Sequence, residues 1–149
     1  MAGPATSLLF LLHLASTLFM VGVIWFVQVV HYPLFAKTAS AEFPAYELTH
    51  TRLTTFVVAP PMLVELSSAL LLLWIRPASV SSVQCGIGLA LLSVIWLSTM
   101  SLQVPAHYSL SAGFDAVVHK KLLSTNWIRT AAWSLRGVLV LWMTWPILR

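Results

Sequence analysis

The run Ser7–Val30, "SLLFLLHLASTLFMVGVIWFVQVV", decides the fold class. Across it the only strongly polar side chains are His13 and Gln28. A bilayer-crossing helix needs about 20 mostly apolar residues, and this run supplies them without a charge. It is too long for the apolar region of a cleaved secretory signal, about 7 to 15 residues. No Lys or Arg precedes it within residues 1–6. It therefore predicts a retained first span. Its continuation is less ordinary: "WFVQVVHYP", Trp25–Pro33, closes an apolar helix with Gln28 and His31 three residues apart.

The rest of the 149-residue chain agrees with the first run. Hydrophobic residues make up 59% and charged ones 8%, with mean hydropathy +0.90. Soluble domains carry about 25% charged residues, so water is not the solvent of most of this surface. Apolar segments recur near 7–32, 53–75, 81–104 and 125–148. They lack the period-2 alternation of barrel strands, and lipid admits only helices or closed barrels. The expected fold is all-α: a single domain over 1–149, an up-down bundle of four transmembrane helices, integral and multi-pass. Pro33, Pro77 and Pro105 are expected to end the first three helices. Ser124, Thr125 and Asn126 are the candidate caps of the fourth. "FPAYELTHTR" predicts helix from just after Pro44, and Pro60–Pro61 are expected to kink the second span.

Some classes are disfavoured. The lone Cys85 cannot form an internal disulfide. A net charge of +4 on so apolar a chain suits membrane-flanking residues rather than a nucleic-acid surface. No P-loop, dinucleotide fingerprint, nucleophile elbow or haem-attachment motif is present.

In up-down topology the polar residues gather on one side. Gln28 and His31, His50 and Arg52, Gln103 and His107, and Asn126 and Arg129 all lie there. Arg76, Arg149 and, within the first span, His13 fall towards the other side. Residues three or four apart share a helical face, so Gln28 aligns with His31, and Asn126 with Arg129, Trp133 and Arg136. Polar stripes in membrane bundles turn inward. Taken singly, histidines and arginines at helix ends snorkel to headgroups, Trp25, Trp127, Trp142 and Trp145 form an aromatic belt, and His119-Lys120-Lys121 is an interfacial basic patch. His13 reads as a packed, hydrogen-bonded polar residue. The one-sided pattern taken together points to a cavity. Lys37, Arg52, Lys120, Lys121 and Arg129 on that side, against Arg76 and Arg149, lean it to the cytoplasm.

Two charges lie deeper. Glu65 and Arg136 each sit about twelve residues into their spans, about 18 Å at 1.5 Å per residue. Unpaired, each is costly at the bilayer centre; matched depth predicts a structural ion pair.

His31, His50 and His107 come from three segments and can converge. Three imidazoles with an open position form a known metal arrangement, so they are the candidate ligands of a single metal ion and, with Arg129, the candidate catalytic set. Gln28, Gln103, Asn126 and Arg52 are the candidate substrate contacts. Glu47–His50 is a Glu-x-x-His step on one helical face, but with four acidic residues in the chain a di-iron site of the ferritin kind is disfavoured. A bis-histidine haem would need His31 and His107 at the very edge of the bilayer, and His13 has no mate at its depth.

The run "LLSTNWIRTAAWSLR", Leu122–Arg136, resembles the Asn-x-x-Arg-Thr segment of small four-helix membrane proteins of the anthrone oxygenase-like group. The match covers about fifteen residues. It implies Asn126, Arg129 and Thr130 as site residues, and oxygenation of a lipophilic aromatic substrate without an obvious cofactor. The expected function is thus an oxidoreductase or oxygenase-like membrane enzyme acting on a lipophilic or amphipathic small molecule in contact with membrane lipid. The rival is a non-enzymatic component: a lipid- or ion-handling protein, or an accessory subunit in a homo- or hetero-oligomer.

Overall fold

The computed structural model describes residues 3–38 and 40–147 and is all-α. Arg149, placed above on the side away from the cavity, lies outside the described residues. Four rods follow in order: α1 (Pro4–Lys37), α2 (Phe43–Leu71), α3 (Ser82–Leu110) and α4 (Ala116–Thr144). The first three are long and apolar enough to cross a membrane. α4 is as long as α2, at 29 residues. It does not join them by composition, because Asn126, Arg129 and Arg136 break its apolar run. Those three residues are buried inside the bundle.

α1 packs on α2 and α4, and α3 on α4, with a sparser α2–α3 contact. Neighbours run antiparallel, since the end of α1 meets the start of α2 (His31–His50) while His13 meets Ser68. Met20, Ile24, Leu92, Ile95 and Trp133 fill the middle. Outward faces are apolar as well: Phe56 is 70% exposed, Leu97 69% and Val138 68%. A surface of that kind fits lipid. Trp25, Trp127, Trp142 and Trp145 are also exposed, as a belt requires.

The helix ends differ from expectation in an informative way. Pro33 does not end α1, nor Pro105 α3. Each proline follows one π-helical turn, Val27–His31 and Thr99–Gln103, in which the amides of Tyr32 and Val104 reach back five residues to the Val27 and Thr99 carbonyls. A proline ring clashes with the carbonyl four residues earlier; the wider π turn relieves that contact and lets the helix continue. α1 therefore runs on to Lys37 and α3 to Leu110, and the loops are shorter than the sequence suggests. α2 passes through Pro60 and Pro61 as one helix.

The caps also move. α4 starts nine residues before Thr125, capped by Asp115, whose carboxylate accepts from the Val117 and Val118 amides. Ser124 and Thr125 sit mid-helix, their hydroxyls donating to the Lys121 carbonyl. α3 begins with a capping box between Ser81 and Gln84, a start signal the apolar pattern overshadowed.

Candidate functional site

Both π turns lie at the same end of the bundle. Such turns add a residue within a helix and concentrate at functional sites. Here the first turn aims Gln28 and Tyr32 inward with His31 beside them, and the second delivers Gln103 and His107.

The inner cluster is built on Glu47, His50 and His107, whose ligand-type atoms all lie within 4.8 Å of one another. Glu47 is fully buried. Its Oε1 lies 2.5 Å from His107 Nδ1, and its Oε2 has no hydrogen-bond partner among the described residues. His107 Nε2 lies 2.9 Å from the Tyr32 hydroxyl. His31 Nε2 is 2.7 Å from His50 Nδ1, which also meets the Thr54 hydroxyl at 3.1 Å. Two short chains of polar contacts thus lie side by side, His31–His50–Thr54 and Glu47–His107–Tyr32.

The cluster that could hold a metal ion differs in one member from the three-histidine expectation. His50 and His107 belong to it, and Glu47 takes the third place. His31 stands behind His50, engaged with one of its ring nitrogens, so it orients His50 rather than joining the trio. Glu47 was visible in the Glu-x-x-His step; its burial came from the fold.

A cavity of about 400 Å³ opens beside this cluster. Its polar wall includes His50, His107, Tyr32, Gln103, Thr54 and Arg129; Met20, Ile24, Val58 and Val104 supply apolar surface. A second, more apolar hollow of about 590 Å³ lies along α1 and α2, with His31 at its rim. The two share Val23, Val27, Thr54 and Val58 as walls.

The candidate substrate contacts divide. Gln103 lines the cavity, held by Ser98 Oγ donating to its Oε1 at 3.0 Å and by its own Nε2 donating to Thr125 Oγ1 at 3.2 Å. Gln28 and Asn126 do not line it. Asn126 Nδ2 donates to Gln28 Oε1 at 2.8 Å, and Asn126 Oδ1 accepts from Arg129 Nη1 at 3.2 Å. They position Arg129, whose guanidinium also stands 5.1 Å from the Trp133 ring. Thr130, implied by the resemblance, is buried and donates to the Asn126 carbonyl at 3.1 Å. Arg52 is exposed and lies outside the cavity wall; its place on α2 turns it away from the bundle. His119 is no interfacial patch residue. It is buried, with Nε2 2.8 Å from the Tyr32 carbonyl, and it stacks on Phe35.

The deeper pair is present. Arg136 Nε donates to Glu65 Oε1 at 2.8 Å, Thr17 Oγ1 donates to the same oxygen at 2.8 Å, and Trp133 Nε1 donates to Oε2 at 3.0 Å. Arg136 Nη1 donates to the Gly88 carbonyl, an approach that a bare glycine leaves open. His13 is packed as expected, its Nδ1 2.9 Å from Ser68 Oγ.

Comparison of the chain with protein families, with characterised proteins and with solved structures finds no match. The resemblance to the anthrone oxygenase-like group therefore stands on the Leu122–Arg136 run alone.

Proposed function

We propose that the chain is a multi-pass membrane enzyme, metal-dependent and oxidoreductive, acting on a lipophilic or amphipathic small molecule that reaches the cavity from the bilayer. In this reading all four helices cross the membrane, α4 tolerating its arginines because both are turned inward.

One observation carries the reading: Glu47, His50 and His107 stand together beside a largely apolar cavity, with one buried Glu47 oxygen left without a partner. A buried carboxylate oxygen with nothing to accept from is costly, and a cation removes that cost. Two imidazoles and one carboxylate are the donor set of non-haem iron(II) oxygenases and of His₂Glu zinc sites. Held by these three residues, a redox-active ion would supply open coordination positions and a one-electron couple, with dioxygen as the external oxidant of an adjacent substrate. The chain's own residues do the rest. His31 and Thr54 orient His50; Tyr32 orients His107 through its Nε2; Gln103 and Arg129 face the substrate space.

Elemental analysis of the detergent-purified protein tests this directly. About one iron per chain, lost together with substrate oxidation in Glu47→Gln and His50→Ala, supports the reading. Zinc alone removes the redox part. A chain that takes up no first-row metal when offered each in turn leaves Glu47, His107 and Tyr32 as a metal-free acid/base relay and overturns metal dependence.

A further inference from the structure

Arg129 poses a problem of charge that the chain does not solve from within. It is buried, and a buried guanidinium is expected to be paired. Arg136, seven residues along the same helix, shows the ordinary solution in its bond to Glu65. Among the described residues Arg129 has no such partner. Its Nη1 donates to neutral Asn126, and its Nε has no partner at all. The Tyr32 phenol, a further hydrogen-bonding neighbour, is neutral at ordinary pH.

The accounting closes because the chain has only four acidic residues. Glu65 is bound to Arg136, Glu47 to His107, and Asp115 caps α4. Glu42 is exposed next to the start of α2. None of these side chains is left for Arg129, which lines the cavity wall and whose buried Nε has no acceptor. The rest of that cavity is mainly apolar wall, continuous through Val23, Val27 and Val58 with the hollow along α1 and α2.

We infer that the cavity binds an amphipath whose head is an anionic oxygen group, a carboxylate or an enolate, seated on Arg129 with its apolar body against the α1–α2 wall. The inference names the substrate class of the proposed enzyme and so rests on that reading. A binding measurement without turnover keeps the two separable: a chain that holds no metal and oxidises nothing can still bind the anion, and the reverse also holds. Gln28 and Asn126 are positioning residues in this scheme, because they fix the guanidinium without touching the ligand.

The test compares palmitate with methyl palmitate, and 2-naphthoate with methyl 2-naphthoate, binding to protein purified in an uncharged detergent. Occupancy is read from intrinsic tryptophan fluorescence, to which Trp133 beside Arg129 contributes among the chain's seven tryptophans. Hydrogen bonds to a charged group of this kind are worth about ten- to hundredfold in affinity. Each acid should therefore bind about ten- to hundredfold more tightly than its ester. Arg129→Gln should erase that difference by weakening the acids alone. Removing an unpaired buried charge should not lower the melting temperature of the unliganded protein, whereas palmitate should raise that of wild type and not of Arg129→Gln. Should the variant fail to fold, the acid–ester comparison on wild type decides alone. Equal binding of acid and ester overturns the inference. So does quenching by chloride alone with no uptake of either acid, or phosphatidylglycerol occupying the site as tightly as palmitate, which would make the neutralising anion a bilayer lipid.

Discussion

Glu47 Oε1 and His107 Nδ1 lie 2.5 Å apart although sixty positions separate them in the chain. The contact joins the start of α2 to the end of α3 and holds a proton between two groups that are also ligand-type atoms. A cation held by Glu47, His50 and His107 would have to take the place of that proton. Metal loading of the metal-free protein should therefore release protons into a weakly buffered solution, and affinity should fall as pH is lowered. The uptake stoichiometry, measured by pH-stat during titration with iron(II), should drop to zero in Glu47→Gln. Proton-independent binding would place the metal elsewhere.

Glu65 and Arg136 give a prediction about stability. Arg136→Ala leaves a buried carboxylate with only Thr17 and Trp133 as donors. Removing one member of a buried pair costs about 3–5 kcal/mol, read as a large drop in thermal or denaturant midpoint in detergent. Glu65→Leu combined with Arg136→Met should recover much of it. Losses that simply add in the double variant would show that the two side chains do not interact.

His119 and Arg52 should exchange the roles that the sequence suggested for them. His119→Ala removes a buried partner of the Tyr32 carbonyl and the stack on Phe35. A lost hydrogen bond of this kind costs about 1–3 kcal/mol, and the displaced Tyr32 should loosen His107 as well. Arg52→Ala, on an exposed face, should change neither melting temperature nor ligand binding. A silent His119→Ala with a damaging Arg52→Ala would reverse the assignment.

Two glycines should respond in opposite directions to alanine. At Gly137 an added methyl meets Val21 Cγ2 at 3.0 Å, where α4 crosses α1, so Gly137→Ala should lower stability by crowding that contact. At Gly86 nothing lies within 4 Å. Gly86→Ala should leave packing untouched and gain up to about 1 kcal/mol from helix propensity. Chemical denaturation of both variants in the same detergent checks the sign.

Much of this was legible in the linear chain. Apolar run lengths gave an all-α chain with membrane-length helices. Polar residues at alternate helix ends showed that one end of the bundle is chemically different. Equal depth alone was enough to bring Glu65 and Arg136 together. These are local or additive properties: hydrophobicity sums along a segment, and depth is a count of residues at fixed rise.

What the sequence could not decide were the rotations and identities within that end. One added residue per π turn swings every later side chain about the axis, so the spacing of Gln28, His31 and Tyr32 in the chain does not fix which of them faces the cavity. The prolines that looked like helix stops are accommodated by those turns. Whether Glu47 or His31 completes the cluster with His50 and His107 depends on how α2 and α3 cross. That Arg129 remains without an acid depends on where each of the four carboxylates ends up. Pairwise contacts between residues sixty or more positions apart are set by packing of whole helices, and only the tertiary structure carries that information.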